Sequence, residues 1–395
     1  MQRLKILIVE AISSGYTKHG DASILSEGLA MLVSITNDML KAGYDVSIVL
    51  EKKLMNSTLR LKASRIFKVG TLKDSSLKAF AKNHDFVYII APESENLLSK
   101  MVESLDSFHI NSKPKTIRLM SDKARMLSEL SKRGFRVPET LKSPFEDSSI
   151  EDLGFPLIIK PCFGAGCEGL KIVKDTGEFH KVFKSLNKVY GSLIAQKLIK
   201  GIPASVSVMT DGSRVKPLAL NKQFIKFDNP SYFGGYTPLN HALKQKAFDM
   251  IKKLVENFKG LKGYVGIDIV FSKNEVYIIE VNPRLTVSYV GLSKVSKINL
   301  ARLMVDSCLK SLPDFNPSFD GSCYFRKTIF KKCFTKKFMS FIKGFDEILV
   351  PPIPLNDSNE GYGFITTISK SFFEARKLYL RLIDKITKET GCQVV

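Results

Sequence analysis

Tyr264–Val265–Gly266–Ile267–Asp268–Ile269–Val270–Phe271 and, after a short polar break, Val276–Tyr277–Ile278–Ile279–Glu280–Val281–Asn282–Pro283–Arg284 form the stretch on which the reading of this chain turns. Two apolar runs separated by so few polar residues predict a β-hairpin. In a ladder symmetric about Asn274, Asp268 stands directly opposite Glu280, and Asn282, two places on, shares their face. Opposed carboxylates destabilise a sheet unless a cation lies between them. Asp, Glu and Asn oxygens are the hard ligands that Mg²⁺ takes when it also holds phosphates. The segment therefore predicts a divalent-metal site with Asp268, Glu280 and Asn282 as ligands. Arg284 follows just beyond, where a cation can stabilise charge on a transferring phosphoryl group. The plainer alternative is a hairpin with two solvated acids on its outer face, the commoner state of an isolated strand acid. Here the third oxygen ligand and the arginine outweigh it.

Upstream, the apolar run Pro156–Leu157–Ile158–Ile159–Lys160–Pro161 ends in a lysine and opens into a loop with Gly164, Gly166 and Gly169. A charge at the end of an apolar strand is costly unless an anion meets it, and the glycines let backbone N–H groups turn toward phosphate oxygens. No GKS or GKT follows, so the loop is not a P-loop. A lysine that merely snorkels beside a flexible hairpin fits the same letters equally well. Cys162 and Cys167 lie in this loop and are read as small packing residues, not as nucleophiles. Leu193–Gly201 reads as a buried strand and connector whose backbone, from Gln196 through Lys197 to Leu198, could pair with an adenine edge. A helix is expected from Ser121, its cap, to Arg133, with Gly134 as its stop and Lys123 in its first turn.

Residues 4–114 alternate apolar strand runs (Leu4–Val9, Asp45–Leu50, Phe86–Ala91) with helical stretches such as Ser26–Ala42, the βα rhythm of a parallel sheet. No GxGxxG follows the first strand, so a dinucleotide site is not expected. The C-terminal part reads as a helix near Leu300–Lys310, a basic stretch Arg326–Lys343 with helix-like spacing, the turn-rich Pro351–Gly361 and a last helix Ser371–Lys388.

At 395 residues, 44% hydrophobic and 25% charged, the chain has the composition of a globular protein of two or three domains, and no segment approaches the ~20 apolar residues of a membrane span. A cytoplasmic protein with no membrane partner is expected. Six scattered cysteines without a CxxC pair predict neither a disulfide frame nor a zinc site. The net charge of +21 raises nucleic acid as a partner. It is Lys-dominated and accompanies no recognised binding module, so a solvated face is the preferred reading. An anionic substrate would also profit from such a field.

The order Asp122–Lys123, Ile159–Lys160–Pro161 with its glycine loop, Gln196–Gly201, Asp268 and Glu280–Val281–Asn282–Pro283–Arg284 resembles the ATP-grasp superfamily. The resemblance implies an α/β fold. It implies a Rossmann-like pre-ATP-grasp domain over residues 1–117, a small lid subdomain over 118–193 and a large C-terminal subdomain with the metal site over 194–395. It implies that Lys123, Lys160 and the loop glycines bind ATP phosphates, that Gln196, Lys197 and Leu198 line the adenine pocket, and that Asp268, Glu280 and Asn282 hold one or two Mg²⁺ or Mn²⁺ ions. Arg284 would touch the phosphoryl group or the substrate carboxylate. Gln196 stands where many members have Glu, and Pro203 near where many have a ribose-binding Glu. Val9–Glu10, Ile24–Leu32, Pro203–Ser207 and Asn221–Gln223 ahead of Gly234–Gly235 resemble a narrower branch, the archaeal ligases that join L-glutamate to tyramine in methanofuran biosynthesis. That likeness implies small-molecule partners: ATP would phosphorylate the glutamate γ-carboxylate, and an amine would displace the phosphate. A ligase of the same kind for another amino acid and amine pair, a small-molecule kinase on the same fold and a basic nucleotide- or RNA-binding protein are the alternatives. The oligomeric state stays open, a homo-oligomer included.

Overall fold

The unbroken apolar run Ile6–Val9 is what a strand covered on both faces requires, and the computed structural model, which describes residues 3–17, 22–56, 61–228, 230–355 and 359–394, places it at the centre of a parallel sheet. The sheet runs β3 (Arg65–Val69), β2 (Asp45–Glu51), β1 (Lys5–Glu10), β4 (Phe86–Ile90). Leu7 and Val9 face a core with Leu77, Leu98 and Met101, while Ile6 and Ile8 pack under helix α1 (Ala22–Lys41). That helix is buried nearly all round, as its mainly apolar sequence Ile24–Ile35 demands, because a second sheet covers its far side.

A small antiparallel sheet, β5 (Thr140–Lys142), β8 (Leu193–Lys197), β6 (Leu157–Pro161), β7 (Lys171–Val173), packs Leu157, Ile159, Leu193 and Ala195 against Phe179 and Leu186 of the helix Thr176–Tyr190. Strand alternation then turns Ile158, Lys160 and Gln196 to the opposite face. β8, expected to open the third lobe at Ile194, is instead hydrogen-bonded between β5 and β6.

Among the described residues the remaining strands form one antiparallel sheet. Its order is β13 (Glu275–Asn282), β12 (Gly263–Ser272), β9 (Ile202–Thr210), β10 (Val215–Lys226), β11 (Ser231–Thr237), β14 (Ser322–Lys331), β16 (Glu360–Ser369), β15 (Ile348–Pro354), with β17 (Gln393–Val394) on β14. Val206, Val265, Ile267 and Ile278 bury one face against Ala247, Ile251 and Leu254 of the helix Lys244–Asn257. Leu349, Val350 and Phe364 at the far end join the core of α1, so this sheet reaches back to the N-terminal region.

Three expectations are corrected here. The basic stretch from Arg326 begins as β14, paired with β16 from Ser322↔Ser369 to Lys331↔Glu360, and only Lys336–Ile342 is helical. Pairing with a strand more than thirty residues away overrides the local spacing. Much of Pro351–Gly361 is strand as well. Its prolines sit in β15, the last strand of the sheet, where a missing N–H is tolerated, and residues 356–358 lie outside the described residues. The cap of the helix Lys123–Lys132 is Asp122, whose Oδ1 accepts from Arg125 N at 3.1 Å. Ser121 ends the preceding helix, its hydroxyl donating to Ile117 O at 2.8 Å. The helix Phe372–Thr390 is capped by Ser371, and all six cysteines are free.

Candidate active site

The hairpin forms in the expected register: Asp268 pairs with Glu280 and Gly266 with Asn282, before a bulge between Asp268 and Ile269 shifts the ladder. Ser205 of β9 continues the row beside Asp268. Since Ile267 and Ile269 point into the core, Asp268 and Glu280 project from the opposite face, into a cleft of about 500 Å³. The cleft is walled by all three sheets. Every site residue anticipated from the sequence lines it except Gly169, which packs instead against Pro161 and Tyr190.

Burial, then the neighbouring Glu280, pushes the Asp268 carboxyl up to about 7, even though Gln223 Nε2 donates to its Oδ1 at 2.8 Å and Asn282 Nδ2 to its Oδ2 at 3.3 Å. Glu280 Oε1 lies 3.2 Å from the Lys123 ammonium, which also donates to Gly164 O at 2.6 Å. Two carboxylates, an amide and a neighbouring hydroxyl turned on one space form an all-oxygen donor set suited to Mg²⁺ or Mn²⁺. The cost of holding Asp268 charged beside Glu280 is what a divalent ion would remove.

Lys160 is only 5% exposed, and burial lowers its ammonium to about 8; among the described residues that ammonium has no hydrogen-bond or ion-pair partner. An unpaired buried cation above two carboxylates calls for an anion. The loop beside it adopts φ +143° at Gly164 and +66° at Gly166, and an added Cβ at either would meet open space. Its glycines serve backbone shape, not packing. Cys162 packs into the core as expected, whereas Cys167 lines the cleft, where burial raises its thiol to about 11 and keeps it protonated at neutral pH.

At the other end, Gln196 Nε2 donates to Thr140 Oγ1 at 3.0 Å, Lys197 Nζ sits 3.1 Å from Glu139 Oε2, and Leu198 follows at the edge of the small sheet. This leaves the connector after β8 and the apolar side chains Ile158, Ile172 and Leu198 facing the cleft, a surface suited to a flat heterocycle.

Arg284 lines the cleft and is already held within the chain. Its Nε donates to Glu93 Oε1 at 2.7 Å and its Nη2 to Glu93 Oε2 at 2.6 Å, with Nη1 on Leu285 O at 2.9 Å. This buried fork-to-fork pair, with Leu285 N donating to Tyr88 OH at 3.1 Å, ties the end of the hairpin to the parallel sheet. Glu93 carried no signal in the sequence, since its partner is 191 residues away. Gln223 was likewise absent from the expected site residues.

Residues 120–288 match the ATP-grasp domain family model. The tyramine–L-glutamate ligase of Methanocaldococcus jannaschii is 27% identical over 76% of this chain and 90% of its own length, and that of Methanocaldococcus fervens 29% identical over 75% and 90%. The crystal structure of N5-carboxyaminoimidazole synthetase from Staphylococcus aureus with ADP superposes with a TM-score of 0.69 at 15% identity, covering 98% of each chain. Among the described residues no helix is long and apolar enough to cross a membrane.

Proposed function

Because residues 120–288 are an ATP-grasp domain, we propose that this chain is an ATP-dependent carboxylate–amine ligase that joins the γ-carboxylate of L-glutamate to tyramine, with ADP and phosphate as co-products. The carrying observation is the convergence, in one cleft, of Asp268, Glu280 and Asn282 with the ammonium groups of Lys123 and Lys160 beneath a glycine loop. What supports the choice of substrates is the likeness to two tyramine–L-glutamate ligases across three quarters of the chain.

In this reading the loop backbone and Lys160 hold the ATP phosphates, and the cleft face of β6 and β8 receives the adenine. Asp268, Glu280 and Asn282 hold Mg²⁺ or Mn²⁺, which when bound supplies charge neutralisation and a template for phosphoryl transfer. Lys123, between Glu280 and the Gly164 carbonyl, fixes the loop over the acids. The γ-phosphoryl group passes from ATP to a carboxylate oxygen, giving ADP and an acyl phosphate. The amine then attacks the acyl carbon, and the C–O bond to phosphate breaks as the amine nitrogen sheds its proton. Such chemistry depends on positioning more than on a protein nucleophile, which agrees with a cleft whose cysteine is kept protonated.

The test is an amine-by-carboxylate screen for ADP release with ATP and Mg²⁺ or Mn²⁺, with glutamate plus tyramine as one pair. ADP formed only when carboxylate and amine are both present, together with a γ-glutamyl amide, is the expected result. A stable phosphorylated product would replace ligase with kinase, and ADP release with a different pair would keep the ligase but replace its substrates.

A further inference from the structure

The cleft has a wall that ATP and metal do not explain. Where β1 and α1 border it, Ile12, Ile24, Met31 and Val287 form an apolar surface with two carboxylates set into it, Glu10 and Glu27. Glu10 is 1% exposed. Its oxygens accept the backbone N–H groups of Ile12 at 3.2 Å and Ser13 at 2.6 Å, with the Ser13 hydroxyl also hydrogen-bonded to the carboxyl, and among the described residues no cation lies within ion-pair reach of it. The two nearby cations are already matched: Arg284 holds Glu93, and Lys327 Nζ lies 2.6 Å from Glu27 Oε1. Three buried acids and two cations leave one carboxylate uncompensated, at Glu10, in a place where isolated charge is strongly disfavoured. Position 28 shows how closely that carboxylate is set. A Cβ on Gly28 would come within 2.7 Å of the Glu10 carboxyl carbon, so only glycine lets α1 lie against it at the cleft surface.

We propose that this wall is the subsite of the acceptor amine, with Glu10 receiving the ammonium of a primary amine and the apolar surface receiving its aryl-alkyl body. An amino-acid zwitterion suits the wall less well, because its α-carboxylate would need a cation and both nearby ones are engaged. The assignment rests on the ligase reading, whose substrates it places.

The experiment uses the full chain with ATP, Mg²⁺ and L-glutamate, tyramine as the amine, and 4-ethylphenol, its neutral counterpart, as a competing ligand. In the wild type tyramine should bind at least tenfold more tightly than 4-ethylphenol. Glu10→Gln should raise the KM for tyramine tenfold or more, leave the KM values for ATP and glutamate within twofold, and leave the inhibition constant of 4-ethylphenol unchanged. A rise in the glutamate KM instead would move the ammonium to the carboxylate donor and overturn the assignment. So would equal weakening of all ligands, which would make Glu10 a structural acid. If Glu10→Gln does not fold, Gly28→Ala, which displaces the carboxylate and keeps its charge, must show the same selective loss of tyramine for the proposal to stand. A wild-type protein that releases no ADP with any amine would sink the ligase reading itself, a result distinct from active enzyme whose amine preference survives Glu10→Gln.

Discussion

On the wall formed by β6, β12 and β13, Lys160 has no ion-pair partner among the described residues, Asp268 faces a second carboxylate, and each titrates away from its usual range because burial disfavours its charge. Beyond the end of the hairpin, where the same cleft meets the parallel sheet, Arg284 grips Glu93 through two hydrogen bonds and Lys327 holds both Glu27 and the Ser23 hydroxyl. In the first region Lys123 reaches Glu280, but Lys160 and Asp268 stay without an opposite charge among the described residues, and in the proposed reading ligands complete them; the second spends most of its charges on holding the sheets together. Similar side chains in similarly buried positions thus serve opposite ends, and what separates them is whether the partner is in the chain.

The sharpest way to break this contrast is to delete charge on each side and compare activity with stability. Removing both hairpin acids, in Asp268→Ala with Glu280→Ala, should lower ADP release by on the order of 10⁴-fold, while the melting temperature falls less than in Glu93→Ala, because relief of the Asp268–Glu280 repulsion offsets the lost Lys123–Glu280 pair and the Lys123 ammonium keeps the Gly164 carbonyl. Parallel loss of both would place these acids with the structural ions. Glu93→Ala is expected to do the reverse first, removing about 3–5 kcal/mol of stability by stranding a buried guanidinium. Chemical denaturation measures this, and Glu93→Met with Arg284→Met should recover a good part of it.

Lys160→Met should weaken ATP binding by about 10–100-fold, the worth of charge-assisted hydrogen bonds, with little change in melting temperature. Its lowered titration point adds a pH signature. Below about pH 8 the ammonium is charged and binds phosphate; above it the empty site holds a neutral amine that must take up a proton when nucleotide arrives. Affinity should therefore fall as pH rises through 8, and calorimetry in buffers of different ionisation enthalpy should detect proton uptake that is absent in Lys160→Met. The smallest effect concerns Cys167, whose thiol lies at about 11. Alkylation at pH 7.5, followed by peptide mass, should run about 100-fold slower than for a free cysteine, and a fast reaction would show a more open loop.

This contrast also marks how far the letters could be read. The hairpin was legible because both strands, their turn and their register lie within about twenty residues, and because Asp268 opposite Glu280 makes little sense without a ligand. The parallel sheet was legible from Leu4–Val9, Asp45–Leu50 and Phe86–Ala91, whose period and length leave few alternatives. Arg284 was legible as a cation just beyond the hairpin but not as a held one, since Glu93 sits 191 residues away. Glu27, 300 residues from Lys327, shows in sequence only as an acid inside an apolar helix. β14 was missed for the same reason: its basic residues mimic a helical stripe until β16 is there to pair with it.

The unbroken sheet from β13 to β15 bears on how the chain could be divided. Its distal strands supply Lys327 to Glu27 and the cover over α1, so they are a keystone and not an appendage. A polypeptide cut after residue 310 would retain the whole family-matched segment, yet expose the underside of α1 and orphan Glu27. Transplanting residues 120–288 alone would in turn leave β11 without β14, its neighbour in the sheet.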